Sequence, residues 1–477
     1  MAITSYNFIL FSVISVFIFY LLNRRYRIHF LAALSCIFIA GYSYLLLIYI
    51  VLYALANYFL GILMPQSKYK IVLFRTGILL NISQLVVLRY ASFAIDPLLE
   101  AFNSNLQVSK LAEILIPIGI SYFTLQGIGY LINLKMGWEK PEKSFLNFFL
   151  YITFFPKFLS GPVERSNHFL PQLNEARDFD EQQVTEGLRI ALMGFFKKIA
   201  IANQLAPYAL SNYGDMSTTD GYTSWILFLI QPLYLYFDFS GYTDIAIGIS
   251  KTFGINLVPN FNRPFFAENM TTFWKRFHIS LSSWFNDYVF RQTSFRYRSW
   301  GIYASAYAVF LTFMLFGIWH GAGWTFMVVG LLQAIAINYE FFTKRLRLKL
   351  FSHVPAVLTV WIGRVTTYLF YSLSLVFFFS ADINSAMTFL SRLTEVGGPV
   401  NFGPVSTKPI SVMFYIPLLM LLEFIENDYG GTYRKLELFW KNDSKRIMIF
   451  RWSIYSLIIT LIFVVGGDVQ QFIYANF

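Results

Sequence analysis

Charge is scarce in this sequence. Asp, Glu, Lys and Arg together make up 13% of the 477 residues, against 56% hydrophobic, where soluble domains carry about a quarter charged residues. That excludes an ordinary soluble chain and points to a polytopic membrane protein. Cysteine is almost missing: the sole one, Cys36, lies in an apolar run, which excludes intrachain disulfides and cysteine metal sites. Also absent are internal repeats, a Walker loop, a dinucleotide glycine pattern and a G-x-S-x-G elbow. No polar segment is large enough for a soluble domain that hydrolyses a nucleotide. The histidines have neither metal-site spacing nor cysteine company, so no metal centre is expected. Apolar runs recur from end to end, and 1–477 is expected to be one integral-membrane domain. Within it, 1–143 are N-terminal helices, 144–343 a motif-bearing core and 344–477 C-terminal helices.

The net charge of +11 needs no nucleic acid to explain it. Lys and Arg gather in short loops between apolar runs, the pattern that orients inner-membrane proteins. Phe8 to Leu22 lacks both the preceding positive charge and the small-residue cleavage pattern of a removed signal peptide, and reads as a retained helix. It ends at the basic Arg24-Arg25-Tyr26-Arg27, which belongs in the cytoplasm and puts the N-terminus outside. Ile28 to Met64 is too long for one crossing and is expected to fold back near Gly41-Tyr42-Ser43. Spans from Ile71 to Ala91 and from Ile114 to Leu134 follow, and the basic loops fall on one side each time.

The longest uncharged stretch runs from Ser299 to Tyr339. About 20 apolar residues cross a bilayer core as helix, so this stretch has room for two crossings, or for one and a broken second. In its middle lies His320, between Trp319 and the glycines Gly321 and Gly323. An intramembrane ionisable group marks a functional site by default, and the glycines allow close approach of backbone or ligand. The competing reading is a histidine that merely ends a helix in the headgroup layer. His278 is the second informative imidazole. As a helix, its segment puts Trp274, His278, Leu281 and Phe285 on one apolar stripe, which describes a core histidine as well as a catalytic one.

Between these landmarks the pattern is less regular. Pro156, Lys157, Gly161 and Pro162 interrupt the apolar run after Phe145, which reads as re-entrant or interfacial. Asp178 to Lys198 holds an amphipathic helix with Val184, Leu188, Ala191 and Phe195 on one face. Lys197 and Lys198, at its end, read as a surface without a ligand. Asp238 and Asp244 flank Ser240-Gly241, and a helix restarting after Gly241 would use one of them or a neighbour as cap. Their spacing does not share a helix face, so scaffolding is favoured over acid–base work. The basic Lys344 to Lys349 precedes apolar runs near 357–379, 410–424 and 447–465. The Gly/Pro/Ser-rich 392–411 is the expected flexible loop.

Four ordered segments carry a resemblance: FFPKFLSGPVERSNHFLPQL, YFDFSGYTDIAIGISKTFGINLVPNFNRPF, FWKRFHISLSSWFNDYVF and FGIWHGAGWTF. Together they resemble the membrane-bound O-acyltransferase family, in its bacterial alginate O-acetylation branch. The opening SYNFILFSVISVFIFYLLNRRYR and the closing QFIYANF resemble the same branch. What the resemblance implies is an all-α ring of about 10–12 transmembrane helices, with re-entrant and interfacial helices around a central funnel. His320 and His278 would be the catalytic pair, with Trp274, Asp238, Asp244, Trp319 and Asn262 lining the funnel. No bound cofactor is implied. Acetyl-CoA would be the donor, on the cytoplasmic side of a bacterial inner membrane. The acceptor would be an extracytoplasmic polysaccharide or a hydrolase-like (SGNH-type) acetyl-relay partner. D-alanyl or another small acyl group is the alternative cargo. Two positions depart from the branch pattern, Asn286 and Ser380, each standing where arginine is usual, and both bear on the acceptor or partner surface. The rival from another class is a transporter with proton-relaying histidines, which would consume no acyl donor.

Overall fold

The computed structural model describes residues 3–102, 104, 106–110, 118–175, 178–214, 221–395, 397, 409–428, 430–440 and 444–465. Among them every named element is a helix, and the one β contact is the isolated Phe261–Phe277 bridge. Helices α1 (Tyr6–Leu21), α2 (Arg24–Ala40), α3 (Tyr44–Gln66) and α4 (Lys70–Arg89) open the chain. Side chains of Ser5, Asn23 and Ser43 accept from backbone N–H groups at the starts of the first three, satisfying donors that a helix start leaves open. The reversal expected at Gly41–Ser43 lies between α2 and α3. The following span includes α5 (Ile120–Met136); its expected start at Ile114 lies outside the described residues.

The expected irregular segment resolves into α6 (Phe145–Thr153) and α7 (Ser166–Leu173). Both fall far short of the roughly 20 residues a crossing takes. Residues 154–164 between them are buried almost throughout, as irregular backbone at membrane depth must be. Next come α8 (Glu181–Phe195), a π-helical turn at Phe196–Ala202, α9 (Asn203–Gly214) and α10 (Gly221–Thr252).

Helix α10 runs unbroken through Gly241, so the expected restart there is corrected. It is buried on all sides along most of its length, the mark of a central helix. The buried face of α8 also differs from expectation. It is Gly187, Ala191 and Gly194, while Leu188 points outward. The cause is a backbone-to-backbone crossing: a Cβ on Gly187 would lie 2.6 Å from Gly248 O, and one on Gly194 2.6 Å from Ile245 N. Small residues win that face because they let helix axes approach.

Lys197 and Lys198 are corrected as well. From the π-helical turn, Lys198 pairs with Asp238 and Lys197 reaches Asp244 at 2.9 Å. With Lys198 at 2% and Asp238 at 1% exposure, each would be an uncompensated buried charge alone, and pairing is the condition for both being there. Both aspartates are thus engaged by lysines of the π-helical turn.

The stretch around His278 departs most from the expected single helix. It forms α11 (Met270–Trp274) and α12 (Ile279–Phe285), and His278 sits between them in the left-handed region at φ 48°. Asn262 N donates to Arg276 O at 2.9 Å and Ile279 N to Asn260 O at 2.9 Å. These long-range bonds replace the helical ones and break the helix at the histidine.

Another π-helical turn, at Asn286–Phe290, and α13 (Arg291–Arg296) lead to α14 (Ile302–His320) and α15 (Trp324–Leu350), so the uncharged stretch falls on two helices long and apolar enough to cross a bilayer. The helices touch through glycine: a Cβ on Gly317 would lie 2.4 Å from Phe326 O. Backbone takes up the space at Gly317, and the Phe326 ring takes it up at Gly321. The three late apolar runs are α16 (Ala356–Phe379), α18 (Pro409–Asp428) and α20 (Lys445–Val465), with α17 (Ile383–Arg392) and α19 (Gly430–Trp440) between. Most of 392–411 and the closing seven residues lie outside the described set.

Six described helices, α3, α4, α14, α15, α16 and α20, are long and apolar enough to cross a bilayer, and α1 is a shorter apolar one. Exposed Phe17, Leu79 and Phe463 are the outward side chains a lipid-facing surface requires. The chain is an all-α, multi-pass integral membrane protein.

Candidate active site

His320 is the last residue of α14 and is nearly buried. Its Nδ1 lies 2.8 Å from Phe316 O, one turn back. A carbonyl only accepts, so Nδ1 donates to it, and in the neutral ring the lone pair is on Nε2. Aromatic rings hold the imidazole: Phe316 at 4.4 Å between centroids, Trp319 at 5.0 Å and Phe378 at 5.8 Å.

His278 also comes close to Trp319, with ring centroids 6.2 Å apart, and its imidazole meets Phe239 edge-on at 4.6 Å. It is fully buried, and neither ring nitrogen has a hydrogen-bond partner among the described residues. An orphaned buried polar group costs about 1–3 kcal/mol, and a left-handed non-glycine residue adds strain. Two unfavourable features at one residue make His278 a candidate functional residue. Ser280 fixes the segment beyond it, receiving from Val163 N at 3.0 Å and donating its own N–H to Asn260 Oδ1 at 3.1 Å.

A cavity of about 1380 Å³ runs between α12, α14, α15 and the start of α16. One part of its wall is aromatic, formed by Trp274, Phe285, Phe313 and Phe316. Phe316 is also the residue whose carbonyl orients His320, so the cavity stops one aromatic layer from that histidine. Another part is basic, with Lys275, Arg291, Lys344 and Arg347. Glu340 also lines the cavity, but its carboxylate is engaged by the N–H groups of Met270 and Thr271 at 2.6 and 3.0 Å.

Trp274 lines the cavity, whereas Trp319 packs against both histidines and does not line it. Trp274 donates to Gln333 at 3.0 Å and Trp319 to Ser121 O at 3.3 Å. Asp238 adjoins Phe239 in sequence but is turned to Lys198, and Asp244 to Lys197. Asn262 lies on an exposed turn, its Oδ1 taking Arg263 Nε at 2.9 Å, and does not join the histidines. Sequence reasoning missed Gln333, wholly buried and bonded to Ser374 Oγ at 2.7 Å. It also missed Arg89, whose Nη2 donates to His320 O at 2.6 Å. The signal for Arg89 was available: a cation ending an apolar span on the side opposite the basic loops.

Two buried imidazoles pack against one indole, beside a large cavity with aromatic and basic walls, an arrangement that suits transfer chemistry in a helical membrane protein. The chain belongs to the membrane-bound O-acyltransferase family, whose model matches residues 141–382, a stretch that includes both histidines. It is 33% identical to the probable alginate O-acetylase of Pseudomonas aeruginosa, over 68% of this chain and 63% of that one. It is 27% identical to the peptidoglycan O-acetyltransferase of Helicobacter pylori, over 88% and 86%. It is 33% identical to the teichoic acid D-alanyltransferase of Bacillus subtilis, over 48% and 60%. The chain spans under two thirds of the length of the Pseudomonas aeruginosa and Bacillus subtilis proteins.

Proposed function

We propose that this protein is a membrane O-acyltransferase. It takes an acyl group, acetyl in the first instance, from a cytoplasmic thioester and passes it to a hydroxyl of an extracytoplasmic polysaccharide, directly or through a hydrolase-like relay partner. The observation that carries this reading is the buried pair His278 and His320 beside Trp319, one aromatic layer from the cavity. Basic side chains on the cavity wall suit the phosphates of acetyl-CoA, and the aromatic wall suits an apolar pantetheine arm and acyl group.

In the reaction, Nε2 of His320 takes the proton of the acceptor hydroxyl as that oxygen bonds to the thioester carbonyl carbon. The tetrahedral adduct collapses, the carbon–sulfur bond breaks, and the leaving thiolate recovers the proton from the imidazolium. His278, with two nitrogens uncommitted to protein, orients the donor or the adduct. His320 as a transient acyl acceptor is the second form of the same chemistry. Aromatic enclosure keeps water from the thioester. Basic loops facing the cytoplasm of a bacterial inner membrane would put the N-terminus outside and the Lys344–Arg347 end of the cavity inside.

Similarity to a D-alanyltransferase supports a second cargo, D-alanyl, through the same histidines. The test is donor consumption by proteoliposomes. Acetyl-CoA-dependent release of free thiol, lost in His320→Ala, supports the acetyl reading. Turnover with a D-alanyl thioester alone moves the cargo to D-alanyl. No thioester consumption at all, alongside histidine-dependent proton flux, makes the protein a transporter.

A further inference from the structure

Helix α4 is an apolar span that ends on a charge. Its last residue, Arg89, lies 231 positions from His320 in the chain. Arg89 Nη2 donates to His320 O at 2.6 Å, and the guanidinium sits 5.9 Å from the centroid of the Trp319 ring. The next residue, Tyr90, donates its hydroxyl to Ile318 O at 2.8 Å. Both acceptors belong to the last turn of α14, whose carbonyls have no partner within the helix. A cation is also the charge a helix C-terminus favours. Beyond His320 the chain leaves the helix at once, with Gly321 extended. The imidazole is anchored to Phe316 O in that same turn, so the ring points correctly only while the turn stays wound. The groups that keep it wound come from α4.

We propose that Arg89 is a positioning residue of the histidine centre. It holds the final carbonyl of α14 and thereby fixes the direction and tautomer of the His320 imidazole, with Tyr90 as the second point of the clamp. This rests on the acyl-transfer reading and adds to it a residue outside the segment that the family model matches. Arg89 does not line the cavity. Its loss therefore acts on the reacting geometry and not on donor binding. When the last turn frays, Nδ1 leaves Phe316 O and Nε2 is correctly aimed only part of the time. Misplacement by about 1 Å can cost about a hundredfold in rate.

The experiment measures kcat and donor KM with acetyl-CoA or a D-alanyl thioester, for the full chain in proteoliposomes at matched protein levels. Arg89→Ala is expected to lower kcat about 10- to 100-fold with KM unchanged. Arg89→Lys, which keeps one donor and the charge, should recover part of the loss. Tyr90→Phe should lower kcat by a smaller factor. A merely structural residue would reduce the amount of folded protein without this split between kcat and KM. Wild-type kcat in Arg89→Ala, or a KM that rises as kcat falls, overturns the assignment. If Arg89→Ala does not insert, wild-type kcat in both Arg89→Lys and Tyr90→Phe overturns it instead. A wild-type protein that consumes no thioester sinks the functional reading itself, whereas active protein with an indifferent Arg89 sinks only this inference.

Discussion

His278 shows at the scale of one residue what the fold gives up for its site. Its ring lies buried without a hydrogen bond and its backbone is left-handed, so its removal breaks no side-chain bond. Asparagine tolerates the left-handed region better than most residues. His278→Asn is therefore expected to lose acyl transfer while melting within a few degrees of wild type in detergent. A large drop in melting temperature with activity retained would assign His278 to the core instead. Lys198 behaves oppositely, because its charge is matched by Asp238. Removing one partner of a buried pair costs about 3–5 kcal/mol, whereas replacing both by apolar residues is often neutral. Lys198→Met should unfold far more readily than the double variant Lys198→Met with Asp238→Leu, as thermal unfolding would read. Both histidines were legible in the sequence as imidazoles in apolar surroundings. The partners of Lys197 and Lys198 were not, since each aspartate lies 40 or more positions away and only the packing of α8 on α10 brings them together.

Elements were legible to the extent that they are local. The apolar runs gave α1 to α4 and the late spans to within a few residues, and the turn at Gly41–Ser43 fell where glycine and a serine cap suggest. The periodicity around His278 pointed to one helix, and bonds from Asn260 and Asn262 overrode it. On α8 the larger apolar residues suggested the buried face, but the close crossing with α10 admits only small ones. Gly194→Val is accordingly expected to abolish monodisperse folded protein on size exclusion, while Leu188→Ala leaves it unchanged. The loop between α5 and α6 carries a pH response. Burial pushes the Glu139 carboxyl up to about 7, although Ser166 Oγ donates to it at 2.6 Å. The folded state then holds a proton that the unfolded chain releases near pH 4.5. Stability should fall as pH rises from about 4.5 to about 7, with the full penalty above that. Melting curves at pH 5 and pH 8 should differ less in Glu139→Gln than in wild type; an equal difference in the two proteins would contradict this.

For the whole molecule, the chain brings together parts far apart in sequence: α4 supplies the clamp, the 260–280 segment one histidine, α14 the other, and α15 and α16 the wall of the cavity. The four motifs were legible because each is local. Their convergence was not, because contacts such as Trp319 on His278 and Arg89 on His320 exist only after the helices pack. The central claim is that this convergence performs acyl transfer to a surface polymer. Its most direct test is the O-acetyl content of surface polysaccharide in cells carrying wild type or His320→Ala at matched membrane levels. The account predicts loss of acetyl with the variant still inserted. Unchanged acetylation in a strain with no second copy would contradict it.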